Sequence, residues 1–196
     1  MTQINGFKLT FPPETAGKVI EAYGKAERIL EYGTGGSTIL AAKKPGTKII
    51  ACESDKEWLD RLMDAAIGLP GKIYPVHADI GPTREWGHPA PGANPSHFLR
   101  YPTLPWEVAK KQAFEPDLVL IDGRFRPMCF LVSMVQTQRP VRIIFDDYEE
   151  RENYHFVEKY CPRTEYFGRA AVFDVEPGML TASQFLDHWR LFFDAR

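Results

Sequence analysis

Ile29-Leu30-Glu31-Tyr32-Gly33-Thr34-Gly35-Gly36-Ser37-Thr38 is the stretch on which the reading of this chain turns. An apolar run that reaches a carboxylate and opens into glycines reads as a buried strand feeding a tight turn and then a helix. The turn needs residues without a Cβ so that the backbone can approach a ligand, and the helix start presents free N–H groups at Ser37 and Thr38. A carboxylate or phosphate belongs there. Position 38 is Thr, which leaves the G-x-G-x-x-G dinucleotide fingerprint incomplete, and Glu31 sets a negative charge where a pyrophosphate would be repelled.

Outward from this turn, short apolar runs alternate with amphipathic stretches, the pattern of parallel strands buried on both faces and covered by helices. Five runs predict strands: Arg28 to Glu31, Lys48 to Cys52, Ile73 to Val76, Asp117 to Ile121 and Val141 to Phe145. After the second, Ser54 and Glu57 form a capping box, and Leu59, Leu62, Met63, Ala66 and Ile67 fall on one helical face. Pro127 opens a helix with Met128, Leu131, Val132 and Val135 inward, and Pro12-Pro13 introduces one with Ala16, Val19, Ile20 and Tyr23 inward. Arg151 to Cys161 reads as a further helix, and Glu165 to Gly168 and Ala171 to Val175 as two last strands. A capping box of Thr181 and Gln184 opens a terminal helix whose Phe185, Leu186, Trp189, Phe192 and Phe193 belong to the core.

Between Gly81 and about Gln112 the rhythm breaks. Prolines recur at 82, 89, 91, 95, 102 and 105, interleaved with Trp86, His88, His97, Phe98, Tyr101 and Trp106. The stretch reads as a long loop that starts at the carboxyl edge of the sheet, either functional or a surface wrap. The 196 residues suit one domain, with an N-terminal helix at 12–26 and this insertion at 81–112 near the active-site edge. An apolar fraction of 44%, a charged fraction of 26% and 13% aromatics describe a globular chain rather than a disordered one. With a formal charge of −2 and dispersed cations, a nucleic-acid partner is disfavoured. Cys52, Cys129 and Cys161 show no metal or disulfide spacing and suit a reducing compartment. No signal pattern or membrane-length apolar run is present, so a cytoplasmic location is expected.

Glu53 closes the second strand about 20 residues past the glycine turn, where a carboxylate accepts hydrogen bonds from a ribose diol. Asp79 follows the third strand, in place to accept from an adenine amino group. Glu31-x-Gly33-x-Gly35, Glu53, Asp79-Ile80 and Asp122 together resemble the class I S-adenosylmethionine-dependent methyltransferases, over about residues 28–148. The resemblance implies a Rossmann-like, seven-stranded, mostly parallel sheet with the last strand antiparallel and helices on both faces. It also implies a cofactor site. Glu31, Gly33, Thr34, Gly35, Ser37 and Thr38 would face the methionine part, Glu53 with Ser54 the ribose, Asp79 with the Ile80 backbone the adenine, and Asp122 would lie alongside.

Leu120-Ile121-Asp122-Gly123 and Ile144-Phe145-Asp146-Asp147-Tyr148 are similar to a branch whose strands end Ile-Asp-Gly-x-His and Asp-Asp-Tyr, with Arg124 or Phe125 here in place of the His. Asp122, Arg124 and Asp146 are the candidate catalytic residues. Arg124 and Arg126 beside Asp122 either balance charge at a helix start or hold an anionic substrate through forked hydrogen bonds. In catechol and caffeoyl-coenzyme A methyltransferases, carboxylates at these strand ends help hold Mg²⁺. Asp122, Asp146 and Asp147 are therefore candidate Mg²⁺ ligands, although Asp147 stands where an Asn is usual and arginine pairing is the competing arrangement. The five histidines show no ligand spacing. The expected function is S-adenosylmethionine-dependent methylation, at an oxygen of a small molecule. A cofactor-binding but catalytically silent relative and a nicotinamide-dependent oxidoreductase are the alternatives. The sequence leaves the oligomeric state open.

Overall fold

The structure, a computed structural model, describes residues 3–195. Seven strands form one sheet: β1 (Arg28–Tyr32), β2 (Lys48–Glu53), β3 (Lys72–His77), β4 (Leu118–Ile121), β5 (Val141–Phe145), β6 (Glu165–Phe167) and β7 (Ala170–Val175). Their spatial order is β3-β2-β1-β4-β5-β7-β6. β1 to β5 are parallel, and β7 runs antiparallel to both β5 and β6. This is the α/β arrangement that the resemblance implies. The strand order reverses between β1 and β4, so the crevice for a ligand opens at their carboxyl ends.

Alternation along each buried strand feeds two layers of core. Leu30, Ile50, Val119 and Ile143 face one cluster, while Ile29, Ile49, Leu118 and Ile144 face the other. Among the described residues the α-helices are α1 (Pro13–Lys25), α2 (Gly36–Ala42), α3 (Lys56–Ala65), α4 (Arg100–Lys111), α5 (Arg126–Gln136) and α6 (Ala182–Leu186), the last lying against α5. The three cysteines are free and buried. Among the described residues no helix is long and apolar enough to cross a membrane.

Several expectations need correction. In α1 the buried line is Thr15, Val19 and Tyr23, and Ile20 is half exposed, because the four-residue spacing starts one position earlier than the apolar residues suggest. The cap of α3 is Asp55, which accepts from the Trp58 amide at 2.9 Å, and this leaves Ser54 for another contact. Ile67 lies past the end of α3, just before the left-handed Gly68, and is exposed. Val135, in the last turn of α5, is likewise partly exposed. The segment after Arg151 is a 3-10 helix, Glu152–Lys159.

The terminal helix is split into α6 and a 3-10 turn, Trp189–Phe193. His188 meets the Tyr160 hydroxyl at 2.7 Å and lies against the Phe156 ring. Phe185 and Phe192 pack on the core, whereas Leu186, Trp189 and Phe193 are exposed.

The Gly81–Gln112 stretch is not structureless. Its second half is α4, in which Pro102 occupies the first turn, where no N–H is needed. Pro105 deprives the Tyr101 carbonyl of its helical donor, and the Cys52 thiol approaches that oxygen at 3.6 Å. Burial of Tyr101, Pro105, Trp106 and Ala109 outweighs the missing backbone bond.

Candidate active site

The turn after β1 is built on glycines for separate reasons. Gly33 is left-handed (φ +90°), and a Cβ there would stand 2.9 Å from the backbone of Asp122 and Gly123, so the turns after β1 and β4 abut. A Cβ on Gly36 would stand 2.5 Å from the Lys8 carbonyl, because the N-terminal hairpin, Gln3–Ile4 paired with Phe7–Lys8, lies over the turn. Gly35 is extended and unobstructed; its nearest neighbour, the Trp58 ring, would be 4.0 Å from a Cβ. The Gly35 amide donates to Thr38 Oγ1 at 3.1 Å, closing the start of α2.

Below the turn Glu31 is fully buried. The Tyr23 hydroxyl donates to its Oε1, and Oε2 has no hydrogen-bond partner. Burial pushes its pKa up to about 7, against the opposing influence of the Thr38, Tyr23 and Ser37 hydroxyls. At the end of β2, Glu53 Oε1 accepts from the amides of Ser54 (2.7 Å) and Asp55 (3.1 Å). Its Oε2 accepts from the amide and hydroxyl of Thr34, both at 3.3 Å. Trp58 donates its indole N–H to the Thr34 carbonyl at 2.9 Å and meets Phe7 edge-on.

Thr34, Glu53, Trp58 and Phe7 line a cavity of about 1210 Å³ together with Asp122, Arg124, Arg126, Asp147, Arg151 and Arg169, whereas Glu31, expected at the site, and Tyr23 do not reach its wall. The volume exceeds the roughly 300–1,000 Å³ of common ligand pockets, leaving room for two molecules side by side. Gly33, Thr34, Gly35, Ser37, Glu53 and Asp122, all expected at the site, share its wall. Thr38 and Ser54 support that wall from behind. Asp79 and Ile80 do not line it. Asp79 accepts from the Gly81 amide at 2.9 Å and faces Arg100, and Ile80 is buried in the core.

The acidic cluster is held by arginines. Arg126 pairs with Asp122 (3.3 Å) and Asp147 (3.0 Å), and Arg151 pairs with Asp147 (3.1 Å). Arg169 forks onto Asp146 at 2.6 and 3.0 Å and also reaches Asp147 at 3.0 Å. Among the described residues no group of His, Cys, Asp or Glu is arranged to hold a metal. The Mg²⁺ expectation for Asp122, Asp146 and Asp147 is therefore corrected to a charge-neutralised ion-pair network. Asp146 is fully buried in that network and does not line the cavity. Asp122 does line it, and its carboxyl is held well above the ordinary carboxylate range by burial and by the neighbouring Asp146, against Arg126.

The first half of the 81–112 stretch supplies the remaining wall. A small hairpin, Thr83–Arg84 with His88–Pro89, carries Glu85–Gly87 at its tip. Gly87 (φ +68°) lies against Ser54, whose hydroxyl donates to its carbonyl at 3.2 Å. Trp86 is left-handed (φ 61°) and 78% exposed. His88 Nε2 lies 2.5 Å from Arg124 Nη1. Behind Arg124, the buried Phe125 is left-handed and packs on Phe98 and Tyr101, and a Cβ built on Gly123 would overlap the Tyr101 hydroxyl. Arg151, Arg169, Trp58 and the 5–11 segment were not legible as site residues, since no local spacing marks them. His88 lay within the stretch that the sequence flags.

No protein-family model matches the chain, and no curated protein matches it in sequence. Among solved structures, it is similar to a methyltransferase-like protein from Silicibacter pomeroyi DSS-3, at 38% identity over 96% of this chain and 98% of that one, with a TM-score of 0.88. It shares its fold with the cofactor-bound Rv0187 protein from MTB, at 16% identity over 89% of this chain and 85% of that one, with a TM-score of 0.54. With a β3-β2-β1-β4-β5-β7-β6 sheet, a glycine turn after its first strand and a relative this similar over nearly its whole length, the chain belongs to the class I S-adenosylmethionine-dependent methyltransferase superfamily.

Proposed function

We propose that this protein transfers the methyl group of S-adenosylmethionine to an oxygen of a small molecule. The observation that carries the reading is the large cavity at the β1/β4 crevice, lined by the glycine turn, Glu53, Asp122 and Arg124. The residues fit the cofactor. Gly35 leaves an opening where any side chain would project into the cavity, and Glu53 brings a carboxylate to its wall where a diol can bond. The Glu31 carboxylate, buried beneath the glycine turn, disfavours a pyrophosphate on that turn, and with it a nicotinamide cofactor.

When bound, S-adenosylmethionine supplies a sulfonium methyl open to in-line displacement. The protein's share is to align the acceptor oxygen and assist loss of its proton. Asp122 is the residue placed to take that proton, since it lines the cavity and burial beside Asp146 raises its proton affinity. Arg126 holds it in position. Phe7, Trp58 and the Glu85–Gly87 tip exclude water from the cofactor end. The arginines occupy the carboxylates that would otherwise bind a metal.

The test is transfer of labelled methyl from S-adenosylmethionine in the presence of a metabolite extract stripped of macromolecules. Label is expected in a small O-methylated product, and the Asp122→Asn variant should form it at least about 100-fold more slowly. No transfer, or label confined to added protein or nucleic acid, refutes the proposal.

A further inference from the structure

Of Arg124, Arg126, Arg151 and Arg169, which line the cavity with Asp122, three are spent on carboxylates: Arg126, Arg151 and Arg169. Arg124 is different. It is only 8% exposed and lines the cavity; among the described residues it forms no ion pair, and its Nε has no hydrogen-bond partner. Its guanidinium meets His88, brought over from the 83–89 hairpin. A guanidinium cannot shed its charge at any ordinary pH, so a buried one without a counter-ion is held at a cost in free energy. An anion entering the cavity recovers that cost and meets a planar fork suited to two parallel hydrogen bonds.

Resting on the methyltransferase reading, we propose that Arg124 and His88 form the seat for a carboxylate or phosphate group of the methyl acceptor, so that the substrate is an anionic small molecule. His88 serves as the resting partner. Burial, and then the charge of Arg124, lower its pKa, so it stands as a neutral imidazole whose Nε2 accepts from the guanidinium. A neutral acceptor gives way to an anion, which bonds more strongly to the same donor. The seat lies on the turn after β4, two residues past Asp122 and lining the same cavity, so an acceptor anchored there can bring its hydroxyl to that carboxylate.

The carboxylate of the cofactor itself offers the same chemistry, and the experiment separates the two sources. Inorganic phosphate is titrated calorimetrically into the full chain, alone and saturated with S-adenosylhomocysteine, for wild type, Arg124→Gln, Arg124→Lys and the surface control Arg139→Gln. Phosphate is expected to bind with and without S-adenosylhomocysteine. Its affinity should fall at least about ten-fold in Arg124→Gln and in Arg124→Lys, which keeps the charge but loses the fork. It should hold in Arg139→Gln, and S-adenosylhomocysteine affinity should stay within about two-fold in all variants. If Arg124→Gln does not fold, the Arg124→Lys result decides. Unchanged phosphate affinity in the Arg124 variants, or equal loss in Arg139→Gln, overturns the proposal. So does competition between phosphate and S-adenosylhomocysteine with joint loss in Arg124→Lys, which assigns the arginine to the cofactor. Wild type that binds phosphate at Arg124 but no S-adenosylhomocysteine refutes the methyltransferase reading instead.

Discussion

Replacing Glu31 by Gln should change the pH dependence of stability more than stability itself. Glu31 is fully buried, and its pKa rises from the ordinary 4.5 to about 7 in the folded chain. It therefore binds its proton more tightly folded than unfolded. Its contribution to stability is complete below about pH 4.5 and is lost as pH rises through about 7. Between pH 5 and pH 8 that loss amounts to about 2.5 kcal/mol, a large share of the roughly 5–15 kcal/mol by which domains are stable. The Gln side chain has no charge to desolvate, and its amide oxygen still accepts from the Tyr23 hydroxyl. The amide nitrogen, placed where Oε2 has no partner, costs about 1 kcal/mol at every pH. Urea unfolding of both proteins near pH 5 and pH 8 isolates the effect as the change in their stability difference. Glu31→Gln should gain about 2.5 kcal/mol relative to wild type over that interval. Curves that fall in parallel would show that Glu31 does not hold a proton near neutrality, and the account of the turn's electrostatics would be wrong.

Asp146→Asn should cost about 2 kcal/mol, below the usual penalty for a broken buried pair because Arg169 is partly exposed and keeps Asp147. Mg²⁺ or a chelator should leave the wild-type melting midpoint unchanged, whereas a Mg²⁺-induced rise that disappears in Asp146→Asn would contradict the arginine-filled cluster. Gly123→Ala should destabilise by about 1–3 kcal/mol through overlap with the Tyr101 hydroxyl, and adding Tyr101→Phe should restore part of it. A double variant no more stable than Gly123→Ala alone would place the strain elsewhere. Hydrogen exchange should show new protection at 83–89 when S-adenosylhomocysteine binds, since Gly87 and His88 line the cavity. Unchanged protection would make that hairpin a surface wrap.

The sheet was legible because its strands are local signals. Val141–Phe145 appears with the expected ends, and β1 and β2 extend by one residue, to Tyr32 and Glu53. What lay beyond reach depends on contacts between distant segments. The helix α4 hides behind Pro102 and Pro105, whose local cost is outweighed by the burial of Tyr101 and Trp106. The aspartates at the ends of β4 and β5 were visible as a cluster, but Arg169 reaches them from the β6–β7 turn, 23 residues past Asp146. Asp79 stands at the expected strand end, yet its carboxylate closes a local turn onto Gly81 instead of facing the cavity. Gly35 is expected from the sequence as a residue without a Cβ that lets a ligand come close. It is extended, and its significance lies in the open space beside it.

That space allows the most direct test of the central claim. Calorimetric titration of S-adenosylhomocysteine into wild type should show one site of micromolar-range affinity, weakened by about 1.5–3 kcal/mol in Glu53→Ala, which loses a charged acceptor for the ribose. Gly35→Val should leave the fold intact, since a Cβ there meets nothing closer than 4.0 Å, and should abolish the binding heat by filling the cavity. Wild type that gives no heat, or Gly35→Val that binds as wild type does, would contradict the account.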